Sequence, residues 1–343
     1  MKKNSTTSIV VVFLLVSAFL VYNFGLFNPF ITPDDSDQTN NDTVQPSGDT
    51  GETSNDTGQV IDDTRQLSDD DGQTSSDTGK TNLNEIKVAA FNIQIFGETK
   101  REKTEVLNTL AQIVREFDVV LVQEIRDSSE TTAPTFLEAI NALEGPDYAF
   151  IRSERLGRSS SKEAYAYFYN TESVQYLADT AFVFDDADDV FEREPYIASF
   201  RSGGFDFTLI GIHTKPDDAY NEIGNLTIVF DQILESGDER DIIALGDFNA
   251  DGSYFDEDST ENPLRGSEYI WVVSNDVDTM TKTDWTYDRM VMTDYTYSSE
   301  YIADSCAVYY FDTVYGLNQS FTESVSDHYP IFAKFSTDLP DDD

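Results

Sequence analysis

The sequence predicts an α/β fold in which two mixed β-sheets pack face to face with helices on their outer surfaces. Three observations predict it. Apolar runs of strand length far outnumber strand–helix–strand units, so a single doubly wound sheet does not fit the order of elements. Residues 119–122 and 242–245 are apolar at every position, the pattern of strands covered on both faces. Helical periodicity is confined to a few segments between the strands.

Taken in order, residues 1–30 begin with Lys2 and Lys3, and from Ile9 to Phe30 no charge occurs. A helix of that length spans a bilayer, and the residues after its apolar core offer no small-residue cleavage site. A transmembrane anchor is therefore expected, with the lysines cytoplasmic and the remainder, anchored or secreted, on the extracellular face. Residues 31–82 are Asp, Thr, Ser, Gly and Asn with three Asp-Thr-Gly repeats, a composition that cannot bury a core and reads as a disordered acidic linker. Asn41 and Asn55 head glycosylation triplets within it. Residues 83–337 form the folded body, and residues 338–343 an acidic tail.

Within the body, strands are expected over residues 86–90, 119–122, 164–169, 180–184, 205–213, 242–245, 288–292 and 330–335. Helices are expected over 102–116, where Val106, Leu107, Leu110, Ile113 and Val114 share one face, and over 133–143 and 219–236. Gly246 reads as a sharp turn closing the 242–245 strand. Asp247 and Asn249 would then stand at its mouth, on one side if the chain stays extended. The competing reading of that stretch is an Asx turn capping the next element.

Charge is the most unusual global property: 65 acidic against 22 basic residues, a net −43. With +2 in residues 1–30, −11 in the linker and −4 in the tail set aside, the body itself carries −30. Such self-repulsion is relieved in molar salt, where the screening length shrinks to about 3 Å. Because the acids are spread along the chain rather than clustered for a basic partner, a halophile, of archaeal type, is expected. Cys306 is the only cysteine, which excludes an intramolecular disulfide.

The chain has only two histidines, His213 and His328, both at predicted strand ends beside polar residues, which points to acid–base chemistry. Glu124, Asp247, Asp288 and Asp327 recur at strand ends, with Asn92 and Asn249 as neutral oxygen donors. Carboxylates gathered in this way call for a cation, and hard oxygen ligands suit Mg²⁺, Mn²⁺ or Ca²⁺ rather than zinc.

The segments Phe91-Asn-Ile-Gln-Ile-Phe-Gly-Glu-Thr-Lys100, Leu121-Val-Gln-Glu-Ile-Arg-Asp127, Leu156-Gly-Arg with Lys162-Glu163, Arg193-Glu-Pro195, Gly246-Asp-Phe-Asn-Ala-Asp251, Tyr287-Asp-Arg289 and Ser326-Asp-His-Tyr-Pro330 follow one another in a fixed order. In that order, over residues 85–336, the chain resembles the deoxyribonuclease I family of the endonuclease/exonuclease/phosphatase superfamily. The resemblance implies a four-layered α/β sandwich and metal-dependent hydrolysis of DNA phosphodiesters. It pairs His213 with Glu163 and His328 with Asp288, assigns Mg²⁺ or Mn²⁺ to Glu124, Asp327 and Asn92, and gives Asp247 and Asn249 the nucleophile or phosphate. Arg126 matches a minor-groove arginine, Arg158 and Arg193 match arginines near the scissile phosphate, and Tyr287 joins the substrate-binding set.

The chain departs from the family at Gln94, a basic residue there, and at Ser161, a tyrosine there; Gly252 and Trp285 stand where a pair of cysteines is usual. The loop Asp278-Thr-Met-Thr-Lys-Thr283 resembles a structural Ca²⁺ loop. A monomer acting on DNA is expected. Other readings are a sphingomyelinase-like or inositol-phosphate phosphodiesterase, against which the Arg-Glu-Pro and Lys-Glu motifs argue, and a catalytically inactive surface DNA-binding module.

The charge reading predicts that the midpoint of thermal unfolding rises steadily from dilute buffer to about 2 M KCl, where screening is complete. A midpoint that peaks near about 0.1 M, measured by circular dichroism, would count against salt adaptation.

Overall fold

Strands whose alternate side chains enter two different cores, not helical propensity, organise this chain. A computed structural model of the protein describes residues 84–237 and 239–340. The anchor of residues 1–30, the linker of 31–82 and the last three tail residues lie outside the described residues. Among the described residues, no helix is long and apolar enough to cross a membrane.

The strands are β1 (Glu85–Phe96), β2 (Val119–Ile125), β3 (Tyr148–Arg152), β4 (Ala164–Asn170), β5 (Gln175–Tyr176), β6 (Phe182–Val183), β7 (Tyr196–Ser202), β8 (Phe205–His213), β9 (Ile242–Asp247), β10 (Tyr269–Trp271), β11 (Asp288–Thr293), β12 (Ala307–Val308) and β13 (Ile331–Ser336). The helices are α1 (Glu98–Arg101), α2 (Thr104–Val114), α3 (Thr132–Asn141), α4 (Ala219–Ser236), α5 (Asp294–Ser299), α6 (Phe311–Tyr315) and α7 (Gln319–Val325). One sheet has the order β12-β13-β1-β2-β4-β3, the other β10-β11-β9-β8-β7-β5, with β6 also on β7. Each contains one parallel pair at its centre, β1/β2 and β8/β9, among antiparallel neighbours.

The expected two-sheet, four-layered architecture is what forms. Val119 and Leu121 of β2 enter the core between the sheets with Leu209 of β8 and Leu245 of β9, while Val120 and Val122 turn outward to Leu110, Ile113 and Phe136 of the helices. On the far face, Ile210, Ile212 and Ala244 pack on Leu226 and Phe230 of α4. Central strands covered on both faces are thus continuously apolar because each alternate side chain meets a different core. The structure shortens the strand expected over 180–184 to the two residues of β6 and extends the first strand to Phe96 through an irregularity between Asn92 and Phe96.

At the end of β9 remote from its turn, Asp241 and Glu300 are both buried and share a hydrogen bond, with Thr296 also bonded to Asp241. Burial first, and then the Glu300 carboxyl, hold Asp241 well above the ordinary carboxylate range. A carboxyl raised in this way contributes stability that is present below its unfolded pKa of about 3.9 and is lost as pH rises through the folded value. Asp241→Asn, which keeps a donor toward Glu300, is therefore expected to unfold at a higher temperature than wild type at about pH 8, with the gain fading toward about pH 4. Thermal melts at the two pH values check this, and an equal effect at both would exclude the shared proton.

Candidate active site

The site forms where the two parallel pairs end together. In β8/β9 the register sets His213 beside Asp247, and the antiparallel β9/β11 pairing sets Asp288 on the other side of Asp247. Gly246 does not end β9, as its turn-forming character suggests; the strand continues through Asp247. Its backbone has φ +137, and a Cβ there would lie 2.1 Å from the Ile212 carbonyl oxygen and 2.6 Å from Gln123 Nε2, so no other residue fits. Gln123 ties the sheets together: its Nε2 donates to the Ile212 carbonyl at 2.6 Å and its Oε1 accepts from the Asp247 amide at 3.1 Å.

Nor is the chain extended after Asp247. Asn249 has φ +48, its amide donates to Asp247 Oδ1 at 3.0 Å and its Nδ2 to the Thr214 carbonyl at 3.1 Å. The Asx-turn geometry and the position at the strand's mouth therefore coexist in one stretch.

Each histidine is held by its own acid. His213 Nδ1 lies 2.8 Å from Glu163 Oε1, and His328 Nδ1 lies 2.8 Å from Asp288 Oδ2. Both Nε2 atoms face one oxygen, Asp247 Oδ2, at 3.3 and 3.5 Å. Glu163 arrives by a bridge with Leu156, and His328 is anchored by a bridge to Met280 and by Ser326 Oγ, which accepts its amide proton at 3.1 Å. Burial opposes charge on both imidazoles, but the carboxylates outweigh it: Glu163 and Asp247 raise His213, and Asp288 and Asp247 raise His328 to about 10. Burial likewise works against the Asp247 anion, yet His328 and His213 hold it below the usual carboxylate value. Asp288 goes the other way, pushed up by burial despite His328.

Beside this group, Asn92 Nδ2 donates to Asp247 Oδ2 at 3.0 Å and to Glu124 Oε1 at 3.3 Å, so its Oδ1 points elsewhere and, though buried, finds no partner among the described residues. Asp327 Oδ1 is buried too and has no hydrogen-bond partner among the described residues, its nearest cation being His328 Nε2 at 3.9 Å, while Gln94 Nε2 donates to Oδ2 at 2.6 Å. Orphaned oxygens of a carboxamide and a carboxylate, next to Glu124, fit a hard divalent cation. A second group, Asp247, Asp288 and His328, brings one ligand atom of each within 4.8 Å; His328 Nδ1 is committed to Asp288 Oδ2, while Asp288 Oδ1 is buried without a hydrogen-bond partner among the described residues. The loop 278–283 does not fit the Ca²⁺ suggested for it: the Thr279 and Thr281 carbonyls accept from the Tyr329 amide and Gln319 Nε2, and Lys282 stands in the loop, paired with Glu323 at 2.7 Å.

The basic residues divide. Arg126 Nη2 reaches Glu124 Oε2 at 3.0 Å and Glu163 Oε2 at 3.5 Å, at the edge of the cluster. Arg193 is buried and donates Nε–H and Nη2–H to the carbonyls of His213 and Thr214 at 3.0 and 2.9 Å, which orients the histidine's backbone rather than presenting a fork to a phosphate. Arg158 is drawn away to Asp189 at 2.9 Å and Glu192 at 3.8 Å. Tyr287 is buried, and its hydroxyl has no partner among the described residues. Gln123 and Arg289 were not singled out from the sequence. The signal for Gln123 was a lone amide in a wholly buried strand; Arg289, fully buried, bonds the Ala250 carbonyl at 3.0 Å and Glu257 at 2.9 Å.

The model of the Endonuclease/Exonuclease/phosphatase family matches residues 89–328. Deoxyribonuclease-1 of Bos taurus is 34% identical over 257 residues, covering 72% of this chain and 90% of that protein. Deoxyribonuclease gamma of Homo sapiens is 30% identical over 263 residues, covering 74% and 86%. An endonuclease/exonuclease/phosphatase family protein of Bacteroides thetaiotaomicron, of known crystal structure, shares the fold with a TM-score of 0.52 at 17% identity, over 74% of this chain and 96% of that one.

With only two histidines in the chain, their titrations can be followed separately by NMR. Glu163→Gln removes the main attraction holding the His213 proton and is expected to lower the pKa of His213 while leaving that of His328 in place. Equal movement of both resonances would show that Asp247, not Glu163, governs His213.

Proposed function

Because the chain belongs to the endonuclease/exonuclease/phosphatase family, we propose that it is a divalent-metal-dependent endonuclease that hydrolyses DNA phosphodiester bonds with little sequence preference. One observation carries the reading: two imidazoles present Nε2 to a single buried carboxylate, Asp247, while their Nδ1 atoms are engaged by Glu163 and Asp288. That arrangement fixes which nitrogen of each ring exchanges protons. One histidine accepts the proton of the attacking water and the other protonates the leaving oxygen, with Asp247 supporting each imidazolium in turn.

Asn92, Glu124 and Asp327 would hold Mg²⁺ or Mn²⁺, with the orphaned Asn92 Oδ1 and Asp327 Oδ1 as donors beside the Glu124 carboxylate. When bound, the cation supplies positive charge against the phosphate and offsets the field of the surrounding carboxylates. Asn249 and Tyr287 steady the phosphate, and Arg126 supplies the local attraction that a body of −30 otherwise denies to DNA. The same charge supports function in high salt. Placement on the extracellular face, anchored or secreted, rests on the apolar run from Ile9 to Phe30.

A plasmid-nicking assay in molar KCl with Mg²⁺ or Mn²⁺ tests the reading. Cleavage is expected in wild type, abolished by chelator, and slowed by about 10²- to 10⁴-fold in His213→Ala and in His328→Ala. Undiminished cleavage by either variant would overturn it.

A further inference from the structure

Two tryptophans occur in the chain, and they sit in opposite circumstances. Trp271 is partly buried, donates Nε1–H to the Leu264 carbonyl at 2.8 Å and carries the Arg265 guanidinium 3.8 Å from its ring centre. Trp285 is 41% exposed. Its ring lies 5.2 Å from that of Tyr287, which lies 5.8 Å from Tyr254. Gly252 forms the floor beneath it: a Cβ there would come within 3.3 Å of the indole. Packing on Gly252 and Tyr287 accounts for part of the ring, and the rest faces solvent.

This aromatic surface continues from the reacting centre. Tyr287 precedes Asp288 in the chain, and its carbonyl accepts the Phe248 amide at 3.1 Å beside Asp247. Tyr287 itself is buried, and its hydroxyl has no hydrogen-bond partner among the described residues. From there the rings lead outward to Trp285. The acids around the outer end repel phosphate: Asp284 is exposed next to the indole, and Asp251 accepts the Thr286 amide at 2.7 Å. What meets the indole must therefore be an uncharged, flat part of a nucleotide.

We propose that Trp285, continued inward by Tyr287, is a subsite that stacks on a nucleobase adjoining the bond to be cleaved, and that it makes unpaired nucleotides better substrates than duplex. The proposal rests on the nuclease reading above. In a duplex both faces of a base are covered by its neighbours, so an indole gains a full face only where a base is unpaired or displaced. Stacking does not depend on counterion release, so it persists in salt that abolishes ordinary phosphate contacts. It offers an acidic enzyme a grip on its substrate that its charge cannot supply.

The test uses the full chain in about 2 M KCl, with chelator present to prevent hydrolysis, and follows tryptophan fluorescence during titration with oligothymidylate. Saturable quenching is expected, at an affinity roughly tenfold above that for a blunt duplex of equal length, a ratio within the range of one stacked base. No quenching, equal affinities, or quenching that survives in Trp285→Leu and so arises from Trp271, would overturn the proposal. In the presence of metal, Trp285→Leu, which keeps Gly252 covered, is expected to raise KM for the single strand roughly tenfold with kcat nearly unchanged. A fall in kcat at constant KM would mark a merely structural role and overturn it. Quenching by a wild-type chain that cleaves no DNA would sink the nuclease reading while leaving the base-stacking surface standing.

Discussion

A single buried carboxylate, Asp247, sets the terms for the rest of the site. An ion removed from water in this way is tolerable only if neighbours return what hydration supplied. Here they do so from every side: two imidazole Nε2 atoms, the Asn92 carboxamide and the Asn249 amide all converge on it. The histidines in turn need Glu163 and Asp288, and Glu163 needs Arg126 and Arg193. Because each member satisfies another, loss of one leaves a buried charge exposed to apolar surroundings, which makes the group cooperative.

Holding that group together is a matter of backbone as well as charge. Ile95, Glu124 and Asn249 all have φ between +48 and +59, a conformation that side-chain-bearing residues rarely adopt and a β-branched residue least of all. Hydrogen bonds hold two of these turns in place: the Ile95 amide donates to Glu124 Oε2 at 2.7 Å, and the Asn249 amide to Asp247. Strain concentrated where the carboxylates and carboxamides converge, and sustained by the contacts it creates, is the pattern of a pre-organised centre. Lys100 belongs to the same scaffold. Buried, and drawn down to about 8 by that burial against the pull of Asp327 and Glu124, it donates to the Val325 carbonyl at 3.0 Å and fastens the segment leading to His328.

Electrostatics divides the molecule into two scales. Across the surface, −30 on the body repels itself and works against compactness, a repulsion that a screening medium relieves. Within the site, short-range pairing governs, and the arginines near it serve the carboxylates before they can serve a phosphate. Arg193 is spent on the backbone of the His213 corner, and Arg158 on Asp189 and Glu192.

Much of this was legible in residue order. The helix over 219–236 and the strand over 205–213 form with the bounds expected of them, the helix burying one face and the strand almost every residue. Two histidines and a set of carboxylates at strand ends marked the chemistry. β3 and β7 were not expected: Tyr148–Arg152 is a run of only five residues, too short for a period to stand out, and Tyr196–Ser202 mixes polar and apolar residues irregularly. The reach of Gln123 between the sheets and the commitment of Arg193 to carbonyls were equally invisible. Local pattern determines which segments become strands and helices, because alternation and helical spacing act over a few residues. Which atoms meet is decided by register and cross-sheet packing between segments far apart in the chain. Glu163 lies 50 residues from His213, and Asn92 lies 155 from Asp247. Only the folded sheets bring each of those pairs within hydrogen-bonding distance.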